Sequence, residues 1–474
     1  MELQRHDEYR WEIERTGGMQ VPGVVFASES LIAKAREDRA LDQVANVAHL
    51  PGIVTASFAM PDIHWGYGFP IGGVAATDVA AGGVVSPGGV GFDIGCGVRL
   101  LSSHLTEADW HRRGGWIMDR LDGSIPRGTG TGGIADRGLL DAVLEHGARA
   151  ALDAGYGTDA DLEHCEEHGT SHGARPDLVS REAIARGGGQ IGSLGAGNHF
   201  LEIQVVDEIA DPDTAAVFGL TRGTLTVMIH CGSRGLGHQT CLDHLDVMGT
   251  AMARHGISVP DRQLACVPVD SDEGRAYLGA MAAAANFSWA NRHILAHEAR
   301  AAFASALEVQ PGDVGFDLVF DVAHNLAKLE THIVDGEDRL LCVHRKGATR
   351  AFGPGHPDIP QGLRAVGQPV LLPGSMGTAS WVLRGVAGNP AFASSAHGAG
   401  RLMSRSAARK LATGAQVRRD MEQAGIAVGT GSAKLLAEEA PYAYKDVDEV
   451  ARVCEAAGLA ARVARLRPLG VVKA

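Results

Sequence analysis

Apolar residues recur along this chain with two periods, and the places where the period changes mark its elements. Residues 29–48 carry Leu31, Ile32, Ala35, Leu41 and Val44 at helical spacing, which predicts one helix. Residues 136–153 and 177–186 share that spacing, and the alanine-rich stretch 273–307 predicts a long helix with a break in it. Strand-like runs stand at 53–58 and 98–102, inside an apolar, glycine-thick segment covering 51–101. Residues 224–229 alternate with period two and end directly on His230. Residues 317–322 form a short apolar strand that ends in Ala323-His324-Asn325, and residues 370–372 precede a Pro-Gly-Ser turn. A helix over 399–412 is expected to open at the turn His397-Gly-Ala-Gly. A last helix, 447–457, starts near Asp446 with Glu449 three residues on, the spacing of a capping box.

Strands and helices are intermixed without a regular βαβ period, so the expected fold class is α+β rather than doubly wound α/β. No low-complexity linker divides the chain and no internal repeat is visible, so residues 1–474 are expected to form a single large domain. Glycine changes the picture: 63 of 474 residues is about twice the usual share. It implies many turns and close backbone approaches, as at a phosphate or metal site. The net charge of −13 argues against a protein that coats DNA, but it is compatible with a local basic groove. Seven scattered cysteines fit a reduced chain better than a disulfide scaffold. The charged N-terminal stretch has no signal-peptide core, and no apolar run reaches the ~18 residues of a membrane span. The cytoplasm, with no membrane association, is the expected location.

Several histidines sit where a strand meets a turn: His199 in Gly195-Ala-Gly-Asn-His-Phe, His230 in Ile229-His-Cys-Gly-Ser-Arg, and His324 in Asp321-Val-Ala-His-Asn. Asp93 and Cys96 share the glycine run Gly91-Phe-Asp-Ile-Gly-Cys-Gly. One carboxylate, one thiolate and three imidazoles suit a transition metal, since magnesium and calcium rarely take nitrogen or sulfur. Five ligands exceed one tetrahedral site. Two ions sharing Cys96 would use all five, Asp93 and His199 completing one and His230 and His324 the other. The residues alone leave a second reading open, in which Cys96 is a small buried hydrophobe and the histidines are hydrogen-bonded elsewhere. Glu163-His-Cys-Glu-Glu-His, followed by His172, looks like a metal cluster but matches no finger spacing, and reads as a solvated loop.

A second feature concerns anions. Glycines after His397, at the start of a helix carrying Arg401, Arg405, Arg409 and Lys410, would offer backbone N–H groups to a phosphate. A plain glycine cap with a basic solvent face is the competing reading. His344-Arg-Lys-Gly-Ala-Thr-Arg350 and Gly232-Ser-Arg234-Gly place arginine forks in glycine-flanked turns. Pro441-Tyr-Ala-Tyr444-Lys offers aromatic faces for a base, although paired tyrosines more often pack in a core.

These segments together resemble the RNA-splicing ligase RtcB family. The matching runs are Met60-Pro-Asp-Ile-His-Trp-Gly, Gly91-Phe-Asp-Ile-Gly-Cys-Gly, Gly195-Ala-Gly-Asn-His-Phe-Leu-Glu202 and His230-Cys-Gly-Ser-Arg-Gly-Leu-Gly-His-Gln239. They continue through Asp321-Val-Ala-His-Asn325, His344-Arg-Lys-Gly-Ala-Thr-Arg-Ala-Phe352, Pro373-Gly-Ser-Met-Gly-Thr-Ala-Ser380, Ser395-Ala-His-Gly-Ala-Gly-Arg401 and Ala440-Pro-Tyr-Ala-Tyr-Lys-Asp446. Each run is moderately specific, but their order from about residue 60 to the C-terminal Leu469-Gly-Val-Val-Lys473 is very specific.

The resemblance implies an α+β fold of the family's own type with a deep active-site cleft. It implies two Mn2+ ions held by Asp93, Cys96, His199, His230 and His324, with Cys96 bridging. It implies that His397 attacks the α-phosphorus of GTP and carries GMP. Asn198, Glu202, Ser375, Ser380, Gly398, Ala399, Gly400, Tyr444 and Lys473 match family positions around the guanylate. The implied activity joins RNA ends bearing a 3′-phosphate or 2′,3′-cyclic phosphate to 5′-hydroxyl ends, in tRNA splicing or RNA repair. Arg345, Arg350 and Arg401 are expected to hold RNA phosphates. A monomer is expected, and the need for an archease-like activating protein stays open.

The chain departs from the family pattern at Cys231, where serine is commoner, at Ala396, where cysteine is usual, and over the loosely matched segment 103–135. Two rivals compete: a dinuclear metallohydrolase without the nucleotide step, and a non-catalytic RNA-binding protein that keeps the fold.

Overall fold

The computed structural model describes residues 3–429 and 431–473. Two mixed sheets and one long helix position the site. The first sheet orders its strands Leu3–Arg5, Arg10–Ile13, Gly23–Phe26, Ser57–His64, Ile71–Asp78, Glu337–Lys346, Asn325–Val334. All its neighbours are antiparallel except the pair Gly23–Phe26 and Ser57–His64. The second sheet orders Asp317–Ala323, Gly97–Thr106, Thr224–Cys231, Phe200–Ile209, Ala460–Val472, Ser380–Gly385, Pro369–Leu372. The short strand Ala427–Val428 pairs in parallel with Ala460–Val472.

The central strands of the second sheet are apolar on both faces because both are covered. Leu101, Ile203, Val227 and Ile229 pack with Leu295, Ala299 and Phe303 of the helix Asp272–Leu307. Leu100, Met228 and Val206 point the other way, onto Val319, Val382 and Val463. This alternation is the period-two register of a strand buried on both sides.

The helix Asp272–Leu307 is continuous over 36 residues, without the expected break. It contains no proline, and the run Ala282 to Ala285 has the highest helix propensity of any residue type. Two other expected helices are divided. The span 29–48 is Glu29–Glu37 and Ala40–Val47, with Arg39 left-handed at φ 64° between them. There Asp38 ends the first helix, and its Oδ1 accepts the Ala40 N–H at 2.9 Å across the turn. The span 136–153 is Leu140–His146 and Ala148–Asp153, divided at Gly147 with φ 58°.

Asp446 caps the helix Val447–Ala456 by accepting from Asp448. No capping box closes, because the Glu449 carboxylate accepts from Ser28 and Ser30 instead. The stretch Glu163 to His168 is not the solvated loop expected: Cys165 and Glu166 are buried. Glu166 accepts from Lys328 Nζ at 2.8 Å and from the Ala323 N–H at 2.9 Å. Mixed helices and sheets bear out the α+β class. No helix of the described residues is long and apolar enough to cross a membrane.

Candidate functional site

Strand register brings the histidines together. In the second sheet Gly97 pairs with Cys231 on one side and Ala323 on the other, while Phe200 pairs with His230. Four chain segments therefore end level at one edge. Asp93 and Cys96 stand in the turn before Gly97, His199 precedes Phe200, and His230 lies one residue from its strand end. His324 joins Asp317–Ala323 of one sheet to Asn325–Val334 of the other.

Their donor atoms converge. His199 Nε2 lies 2.8 Å from Asp93 Oδ2, and Cys96 Sγ lies 3.4 Å from both His199 Nε2 and His230 Nε2. His230 Nε2 is 3.3 Å from His324 Nε2. Two groups result, Asp93–Cys96–His199 and Cys96–His230–His324, each with all ligand atoms within 4.8 Å of one another. Cys96 belongs to both, so the geometry favours the shared-thiolate reading over a lone buried hydrophobe.

The electrostatics of His230, His324 and Asp93 suit a metal-holding role, whereas at His199 burial works downward but the Cys231, Cys96 and Asp93 charges outweigh it and hold the imidazole well above its usual range. Burial, then the neighbouring imidazoles, pushes His230 and His324 well below the usual histidine range, which leaves their lone pairs available. For Asp93 burial works upward, but the charge and hydrogen bond of His199 outweigh it and hold the carboxylate below its usual value. Burial, then Asp93, pushes the Cys96 thiol up to about 12. A divalent cation reverses that, since a coordinating thiol is deprotonated. Imidazole, thiolate and one carboxylate fit a transition metal better than magnesium or calcium.

Above this cluster opens a cavity of about 920 Å³. Its wall includes Asp93, Cys96, Asn198, His230, His324, Ser375, His397, Gly398, Ala399, Gly400, Tyr444 and Lys473, so twelve of the fifteen expected site residues meet there. The His324 and His397 rings stand 4.7 Å apart between centroids. His397 follows the strand Ser394–Ala396, which pairs with Ala348–Arg350. The turn beside it needs glycine: Gly347 has φ 59°, and a Cβ there would meet the His397 ring at 3.1 Å and press on Ile71.

His199, Glu202 and Ser380 lie one layer behind the wall. Gln204 Nε2 bridges Glu202 Oε2 at 2.6 Å and Ser380 Oγ at 2.9 Å, and Gln204 Oε1 is buried with no hydrogen-bond partner among the described residues. Burial pushes Glu202 up to about 8. Lys473, on the wall, places Nζ 5.6 Å from the Phe200 ring centroid, and burial lowers its pKa.

The structure corrects three expectations. The helix after His397 begins at Arg405, capped by Ser404, so the His397-Gly-Ala-Gly turn is not a helix N-terminus. The Ala399 N–H donates to the Pro373 carbonyl at 2.9 Å. Arg345 and Arg350 stand on buried strands rather than in turns. Arg345 forks onto Glu330 at 2.6 and 2.9 Å, and Arg350 meets Gln368 and Glu166, so neither is offered to RNA. Arg401 does line the cavity, but it pairs with Glu439 at 3.0 Å and covers one face of Tyr444, while Tyr442 turns its hydroxyl to Ala408.

Some functional candidates escape sequence reading. Asp62 accepts from both the ring and the backbone of His397, and Glu439 gathers Arg401, Arg405 and Tyr444. Asp62 sits inside a motif run, but nothing local signals a partner 335 residues away.

Comparison with known proteins agrees with this geometry. The family described as tRNA-splicing ligase RtcB matches residues 43–474. An RNA-splicing ligase RtcB of Mycobacterium tuberculosis is 58% identical over 435 residues, covering 91% of this chain and 100% of the relative. tRNA-splicing ligases RtcB of Archaeoglobus fulgidus and Thermococcus kodakarensis are each 52% identical, over 99% of this chain and 98% of their own. The chain therefore belongs to the tRNA-splicing ligase RtcB family.

Proposed function

We propose that this chain, acting as one catalytic domain, is a GTP-dependent RNA ligase. It joins a 3′-phosphate or 2′,3′-cyclic phosphate end to a 5′-hydroxyl end, in tRNA splicing or RNA repair. The observation that carries this reading is the placement of His397: its Nδ1 is held by Asp62 at 2.6 Å, and its ring lies 4.7 Å from His324 of the donor cluster. A hydrolase built on the same ligands has no need of a second, separately oriented imidazole there.

The carboxylate accepts the Nδ1 proton, so the lone pair is on Nε2, the nitrogen a nucleophile needs. Nε2 forms a bond to the α-phosphorus of GTP, and the bond from that phosphorus to the pyrophosphate oxygen breaks. Metal ions held by Asp93, Cys96, His199, His230 and His324 would offset charge on the α-phosphate and on the leaving pyrophosphate. A cyclic end is first opened by water to a 3′-phosphate. An oxygen of that phosphate then takes the guanylate from Nε2, and the P–N bond breaks. The 5′-hydroxyl attacks the activated 3′-phosphorus, releases GMP and yields a phosphodiester. Lys473 and Arg401 put positive charge on the cavity wall, and Glu202, Gln204 and Ser380 form the polar end that suits guanine.

The test is incubation with manganese and GTP labelled at the α-phosphate, followed by denaturing electrophoresis, with wild type beside His397→Ala. An acid-labile band in wild type, absent from the variant and not formed from ATP, supports the reading. No band from manganese-loaded wild type, with an activating partner protein supplied, moves the metallohydrolase into first place.

A further inference from the structure

The helix Asp272–Leu307 passes behind the donor cluster. Ser288, Asn291 and Arg292 share one of its faces, at the i, i+3, i+4 spacing of a single stripe. All three are fully buried, and all but one of their hydrogen bonds, that of Ser288 to the Ala284 carbonyl, end on segments that lead into or out of the cluster's donors.

Arg292 donates through Nε and Nη2 to Asp321 Oδ1 at 3.0 and 2.8 Å. Through Nη1 it donates to the carbonyls of Gly95 at 2.9 Å and Cys231 at 2.8 Å. Gly95 precedes Cys96, Cys231 follows His230, and Asp321 lies on the strand that runs into His324. Asn291 Oδ1 accepts the N–H groups of Gly192 and Ser193 at 2.7 and 3.0 Å. Its Nδ2 donates to the carbonyls of Ser193 and Gly232 at 3.1 and 3.2 Å and to Cys231 Sγ at 3.2 Å. That ties the segment leading to His199 to the strand end of His230. Ser288 Oγ donates to the Ile94 carbonyl at 2.8 Å, in the turn between Asp93 and Cys96.

Stability alone does not explain this arrangement. Asp321 is fully buried and also accepts from Arg99 at 2.7 Å, so two buried guanidiniums share one carboxylate. Well-packed apolar residues generally do as well or better in such places. A planar guanidinium, unlike an ammonium, fixes several acceptors at set angles at once. We propose that Ser288, Asn291 and Arg292 are positioning residues that preset all five donors for cation capture. The proposal rests on the metal-binding reading above.

Cobalt(II) is the probe, titrated into the metal-free full-length chain and read by thiolate-to-cobalt charge-transfer absorption. Arg292→Lys keeps the charge and loses the fork. It should weaken cobalt binding ~10–100-fold, the usual effect of losing a group that orients a ligand, and shift the absorption band. Its melting in chelator should stay cooperative. Ser288→Ala, which removes the tie to Ile94 and a contact to the Ala284 carbonyl within the helix, should weaken binding by a smaller factor. A folded Arg292→Lys with the wild-type isotherm and band overturns the proposal. If Arg292→Lys does not fold, an unchanged isotherm for Ser288→Ala overturns it instead. Wild type that binds no cobalt sinks the metal reading itself, a separate result from wild-type binding that the variants leave untouched.

Discussion

Asp62 accepts two hydrogen bonds from His397 on one oxygen, from ring Nδ1 at 2.6 Å and from the backbone N–H at 3.0 Å. Its other oxygen is buried without a hydrogen-bond partner among the described residues. The carboxylate therefore sets the tautomer of His397 and fixes its ring. In Asp62→Asn the amide can turn its NH2 toward Nδ1, which moves the ring proton to Nε2 and removes the attacking lone pair. Guanylylation should slow by roughly 10²–10⁴-fold, as when a triad histidine is left in the wrong tautomer, while metal content stays at the wild-type level. Labelled GMP incorporation over time measures this, and an unchanged rate removes Asp62 from the mechanism.

Cys96 is common to both donor groups, so one substitution should empty both. Cys96→Ala is expected to lower manganese binding by at least ~100-fold at each site, beyond the usual cost of losing an orienting neighbour. His199→Ala should weaken chiefly the Asp93 side. Titration followed by manganese electron paramagnetic resonance separates the two outcomes. Retention of one tight ion in Cys96→Ala would show that the two groups do not share the thiolate.

The donors were legible because each stands at or beside a strand end, four of them close to glycines, and strand register then makes those ends level. The capped start at Ser404 was hidden by the more conspicuous glycines after His397, which form an irregular turn. Arg39 itself does not mark the break, since arginine is a good helix former, and the turn forms where the neighbouring Asp38 side chain accepts the Ala40 N–H. Asp62, the Ser288–Asn291–Arg292 face and the pairing of Glu439 with Arg401 and Arg405 act across the fold on partners distant in the chain, so no short window of sequence contains both halves of these contacts. Arg345 and Arg350 read as phosphate holders because their basic run surrounds a glycine, but strand pairing turns both inward.

Arg345 is buried and the Glu330 side chain is only 9% exposed, and Arg345 also donates to Ser394 Oγ and the Phe392 carbonyl. Arg345→Met leaves the Glu330 carboxylate in the interior with His332 as its remaining partner. The expected loss is about 3–5 kcal/mol, the usual cost of breaking a buried pair. The double variant Arg345→Met/Glu330→Met should recover most of it. Urea unfolding of wild type, the single variant and the double variant gives the answer. A double variant as unstable as the single one would mean that the contacts to Ser394 and Phe392, rather than the ion pair, hold this region.

Glu202 supplies a prediction in pH. Burial raises its pKa from 4.5 to about 8. A guanine placed there donates N1–H and N2–H, and only the ionised carboxylate accepts both. Below that pKa the site must release a proton before it binds, so GTP affinity should rise with pH by up to tenfold per unit and level off above about 8. The same shift acts on stability with opposite sign. Between 4.5 and about 8 the folded chain keeps a proton that the unfolded chain has released. The contribution of Glu202 to stability therefore falls as pH rises through that window. Glu202→Gln stays neutral throughout, so it should flatten both dependences and should lose much of the preference for GTP over ATP. Nucleotide titrations of both chains across this range, in buffers of matched ionic strength, test the first effect, and thermal melts at the same pH values test the second. If Glu202→Gln keeps the wild-type slope of GTP affinity, another group governs it, and Glu202 does not face the guanine.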